Sequence, residues 1–150
     1  MTQTITAAAG FLVAVLWFDL MFDVQVLPHR SAPEVPEDVL DSISAYYRRV
    51  TTTASPMGRL VVLAMLLLLA ALVVQATRGD APSWVSAVSL AAAAIAIGLA
   101  AGRVLGAAKR LGARTDPLDV RSGLARRICR DHLICLSAMV VLLLVQLAAA

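Results

Sequence analysis

Two aspartates four residues apart, Asp19 and Asp23, stand in the run Trp17-Phe18-Asp19-Leu20-Met21-Phe22-Asp23, near the end of an apolar stretch from Ala7 to Leu27. On a helix this spacing puts both carboxylates on one face, about one turn apart. A stretch of this length can cross a bilayer. An ionised Asp near the middle of a spanning helix costs roughly 2.5–3.5 kcal/mol on insertion scales. The pair must therefore face a protein interior, a counter-charge, an ion or a wet cavity. Such carboxylates can bind a cation, relay protons, or work as acid and base in a buried pocket. The purely structural alternative is neutralisation by Arg59 and Arg103, which lie near the ends of the next two apolar blocks.

A second set of reactive side chains lies near the other end of the chain. His132, Cys135, Met139 and Gln146 are spaced by three, four and seven residues, which places them on one broad helical stripe. His132 is a candidate proton carrier beside Asp19 and Asp23. Imidazole, thiol and thioether are also soft ligands suited to copper or haem iron. A candidate metal set is then His29, Asp23, His132, Cys135 and Met139. Against it, the chain has no HxxxH or CxxC spacing, and each of these residues is ordinary in an apolar helix. The sequence names no cofactor. Cys129 and Cys135, six residues apart on a helix, point to different faces and read as two thiols.

The elements that must position these residues are helices. The chain of 150 residues is 60% hydrophobic, with mean hydropathy +0.83 and only 15% charged residues, against about 25% in soluble proteins. Its apolar residues fall into four blocks of near-spanning length, about 7–27, 59–77, 83–104 and 131–150. No soluble domain remains, so the expectation is one all-α domain over 1–150, an integral membrane four-helix bundle. The first block lacks the basic flank of a cleaved signal peptide and exceeds its usual apolar length.

Charge follows the same layout. Arg30, Arg48, Arg49 and Arg59 lie between blocks one and two, and Arg103, Lys109, Arg110, Arg114, Arg121, Arg126, Arg127 and Arg130 between three and four. Only Arg78 lies on the other side. The positive-inside rule puts both long loops in the cytoplasm and both termini outside a cell (inner) membrane. The net charge of +3 is thus a topology signal and not a nucleic-acid one. One Lys among thirteen basic residues, with abundant Ala and Val, suggests a bacterial source. The basic loops can also hold anionic lipid headgroups.

Both long loops read as amphipathic helices at the inner face. Pro33 and Pro36 precede Glu37-Asp38, after which Val39, Leu40, Ile43, Tyr46, Tyr47 and Val50 recur on one side. Ser55-Pro56 reads as cap and first residue of span two, and Gly79 and Pro82 as a short turn between spans two and three. Asp116-Pro117 opens the second loop helix. A gapless shift of 78 residues lays Asp38 on Asp116, Ser44 on Ser122 and Arg48-Arg49-Val50 on Arg126-Arg127-Ile128. This suggests a parallel internal repeat, in which the acids fall opposite Ile97 and Ala101. In span three, Ala94, Gly98, Gly102 and Gly106 form a small-residue row that admits a close helix, within the chain or in a homo-oligomer.

The layout of four spans, with a helical segment between the first two, is similar to that of small bacterial membrane families such as the anthrone-oxygenase-like family. The resemblance is one of outline and carries no residue over. It implies a membrane-embedded enzyme as one reading. The residues themselves support a bound or conducted cation, proton or small lipophilic ligand as another, and a structural subunit of a membrane complex as a third. There is no phosphate-binding loop or GxSxG elbow.

Overall fold

The computed structural model describes residues 1–53 and 55–150, and all regular structure among them is helical. Four helices are long and apolar enough to cross a membrane. Helix α1 (Thr2–Asp23) is prolonged by a tighter turn, Val24–His29. Helix α2 (Glu37–Arg48) runs into a wide π turn, Arg49–Thr53, before α3 (Ser55–Arg78). Helix α4 (Ser83–Leu99) continues through a second π turn, Ala100–Val104, into α5 (Leu105–Ala113). Helix α6 (Leu118–Ala148) closes the order. The cap expected at Ser55 lies outside the described side chains.

The long helices α1, α3, α4 and α6 form a ring in which each packs on the next, and α6 returns to α1. With short turns after α3 and α5, neighbours run up and down alternately, the usual short-loop bundle. Gly79 makes the first of these turns with φ +69°, a conformation that costs glycine little. Pro36, Pro82 and Pro117 cap α2, α4 and α6. The second loop helix and the fourth span are one unbroken 31-residue helix, where the sequence suggested two segments.

Two apolar cores are stacked along the bundle. The upper core gathers Ile5, Leu12, Leu68, Leu72, Ala93, Met139 and Leu142 from the four long helices. Its α4 side is built of Ala92, Ala93 and Ala96, which lets helices approach closely. Outside it, Trp17, Phe18, Leu63, Leu66, Trp84 and Leu144 are exposed, the reverse of a water-soluble surface. The lower core is formed by Val35, just before α2, with Leu40, Ile43, Tyr47, Leu111, Leu124 and Ile128, from α2, α5 and the first half of α6.

Helix α2 lies against α5, close enough that a Cβ on Gly112 would meet the Arg48 backbone nitrogen at 2.8 Å. Its approach from α1 is pinned to α6. Arg126 donates to the carbonyls of His29 (3.0 Å) and Ala32 (2.7 Å), and the Val35 N–H donates to Ser122 Oγ at 3.0 Å. Arg121 reaches Asp41 at 2.9 Å, and Arg114 donates to the Asp41 carbonyl.

The two loop helices do not start in the register of the 78-residue shift. Pro36 and Pro117, which cap α2 and α6, are offset by three further residues. Ser44 and Ser122 are nonetheless both fully buried. The α2–α3 path is broken by a π turn where α6 is continuous.

Candidate functional site

The inward stripe of α1 runs Ile5, Ala8, Ala9, Leu12, Leu20 and Asp23. These positions share one helical face, and Asp23 continues it three residues after Leu20, so the register that buries the apolar side chains also carries Asp23 inside. Asp19, one turn earlier, sits at the stripe's edge with its side chain 15% exposed, while the Asp23 side chain is fully buried. Both lie between the two cores, where α1, α2 and α6 converge.

Helix α6 brings His132 to this point. Its Nδ1 stands 2.6 Å from Asp23 Oδ2, and its Nε2 stands 3.9 Å from Asp19 Oδ2. The imidazole is therefore placed between the two carboxylates, one nitrogen toward each. Helix α2 supplies two phenols. Tyr47 donates to Asp23 Oδ1 at 2.7 Å, and Tyr46 donates to Asp19 Oδ1 at 2.5 Å. Tyr47 Oη is also 3.5 Å from His132 Nδ1. The Tyr46 ring stacks on Phe22, centroids 4.1 Å apart.

Both phenols ionise less readily than an ordinary tyrosine. Burial is the main cause for each, and the charges of Asp19 and Asp23 add to it. They stay neutral at physiological pH and act as hydrogen-bond donors to the acids. Charged acceptors make such bonds stronger than neutral ones.

The counter-charges expected from the sequence lie elsewhere. Arg103, in the π turn after α4, pairs with Asp131 at 3.1 Å, and Arg130 approaches the same carboxylate at 3.4 Å. Arg59 is exposed and has no ion pair among the described residues. The direct partners of Asp19 and Asp23 are instead His132 and the two tyrosines. Asp131, beside His132 and only 1% exposed, is a third buried acid that the helical pattern did not single out. The signal for it was the Arg130-Asp131-His132 run at the base of an apolar block.

The other candidate ligands separate. Cys135 donates to the Ala96 carbonyl at 3.4 Å, and Met139 packs in the upper core. His29 contributes its carbonyl to Arg126. Among the described residues no group of three or more His, Cys, Asp or Glu side chains is arranged to hold a metal ion. Gln146 belongs to a different cluster at the far end of the upper core, bonded to Gln75 and Ser89. Ala94, Gly98, Gly102 and Gly106 all face outward, and a Cβ added at any of the three glycines would meet nothing within 4 Å. The row does not pack inside this chain.

Compared with protein-family models, curated proteins and solved structures, the chain matches none.

Proposed function

We propose that this chain is a multi-pass membrane protein that takes up and passes on protons at the Asp19–His132–Asp23 cluster. The observation that carries the reading is the imidazole set between two carboxylates, each with its own phenol donor. Carboxylate, imidazole and phenol all exchange protons, and they follow one another as Tyr46, Asp19, His132, Asp23 and Tyr47. Only one link exceeds hydrogen-bond length, the 3.9 Å between His132 Nε2 and Asp19. A small ring rotation or one water closes it. Asp19, the more exposed acid, is the entry. Asp23, sealed by Tyr47 and His132, is the inner store.

The membrane reading draws on the four apolar helices and on the basic residues gathered at one end of the bundle. It puts α2, α5 and the first half of α6 on the cytoplasmic side of a bacterial inner membrane. The basic loops meet anionic headgroups there, and the outward glycine row offers a seat for a second copy of the chain.

The test is proton flux into liposomes carrying an internal pH dye, driven by an imposed potential. Asp19→Asn, Asp23→Asn and His132→Gln should each abolish it while the variants still insert. Wild-type flux in Asp19→Asn or His132→Gln would overturn the reading. A structural reading is favoured by one observation, that both Asp23 oxygens are already bonded. It expects Asp23→Asn to lower folded yield, with no flux in the wild type.

A further inference from the structure

Two open apolar grooves meet on one flank of α6. The larger, about 610 Å³, lies between α4 and α6 and runs from Arg130 and Leu133 up to Val88 and Val141. The smaller, about 240 Å³, lies between the end of α1 and α6, against Val26, Leu27 and Cys129. Arg130 and Leu133 line both, and Arg30 and Arg126 line the smaller.

We infer that this flank binds one anionic phospholipid of the cytoplasmic leaflet, its phosphate among Arg30, Arg126 and Arg130 and an acyl chain in the α4–α6 groove. The inference rests on the membrane reading but not on proton transfer. Length supports the fit: the eleven-residue rise from Arg130 to Val141 covers about 16 Å of helix, close to one leaflet of a core about 30 Å thick. The smaller groove takes the glycerol backbone and the start of the second chain.

Charge supports it as well. Arg30 and Arg126 have no carboxylate partner among the described residues, and Arg130 shares Asp131 with Arg103. Arg126 is held in place by the carbonyls of His29 and Ala32. Its Nε–H is buried without an acceptor among the described residues, a cost that a nearby anion offsets. Arginine stems line apolar walls while their heads stay at the interface, and three such heads match a phosphodiester.

Native mass spectrometry of the full chain in detergent tests this, with phosphatidylglycerol and phosphatidylcholine of identical chains added in turn. The expected result is preferential retention of one phosphatidylglycerol. Arg30→Gln and Arg130→Gln should each reduce that preference roughly fivefold, and Arg49→Gln, on the exposed π turn, should not. Ala91→Phe, which fills the larger groove, should weaken both lipids. Equal retention of the two lipids overturns the inference, as does an Arg49→Gln effect matching that of Arg130→Gln. Displacement of the lipid by millimolar inorganic phosphate would also overturn it, because the site would then read a free anion. Absence of lipid selectivity in the wild type, with proton flux intact, would sink this site and leave the proton reading standing.

Discussion

Two polar layers bound the upper apolar core, and they are built on opposite principles. At one end, Gln75 and Gln146 exchange reciprocal amide hydrogen bonds of 3.1 and 2.9 Å across the bundle, and Gln146 also donates to Ser89 at 3.0 Å. That layer comes from the long helices α3, α4 and α6 alone and holds no ionisable group. At the other end, Asp19, Asp23 and His132 are acids and a base with exchangeable protons, and two of their partners come from α2, a helix of only 12 residues. A neutral amide cluster has one bonding state and fixes the helices. An acid–imidazole cluster has several protonation states, and each asks for a different hydrogen bond. The first layer is suited to holding, the second to changing.

His132→Ala should cost the most, about 3–5 kcal/mol, because it leaves Asp23 buried without its ionic partner. Thermal unfolding in detergent checks this against Gln146→Ala, for which about 1–3 kcal/mol is expected. Equal losses would erase the distinction between the layers. The double change Gln75→Leu/Gln146→Leu should cost less than either single truncation, since apolar groups then replace both partners. A double variant worse than the singles would make the amides more than glue.

The pH dependence sharpens the same contrast. Tyr46 and Tyr47 keep their protons in the folded state above the pH at which free tyrosine ionises, about 10. The folded chain therefore binds more protons than the unfolded chain in that range. Their contribution to stability is complete below about pH 10 and is lost as pH rises through the folded-state values. Tyr47→Phe should flatten this alkaline loss, whereas the Gln pair should leave it unchanged. An alkaline melting curve identical in Tyr47→Phe would remove the phenols from the balance. The smallest effect is expected at Gly98→Ala, within about 0.5 kcal/mol for the single chain, because the added methyl meets open space. A drop in oligomer on cross-linking, with monomer stability intact, would show that the row serves a second copy.

The four long helices were legible because apolar length and breakers are local signals. Pro82 and Gly79 were read as the α3–α4 turn, and they make it. The inward face of Asp19 and Asp23 followed from cost, since a charge cannot face lipid cheaply. Their partners were not legible. Tyr46 and Tyr47 were read as apolar members of the α2 face, which they are, but a phenol has a polar tip whose target depends on how α2 docks. Arg103 was assigned to the acids of α1 by depth alone. The π turn at Ala100–Val104 changes its angular position, and it meets Asp131 instead. A wide turn of this kind leaves little trace in an Ala- and Gly-rich segment.

The two halves of the acid site are also far apart in time. Asp23 and His132 are separated by 109 residues. At ribosomal speed the acids leave the ribosome on the order of 5–20 s before the imidazole. During that interval the carboxylates of the first helix have only the phenols of α2 to bond to, and translation of α6 supplies the imidazole. A stalled or truncated chain would keep the two acids without their imidazole, a chemical difference between unfinished copies and finished ones.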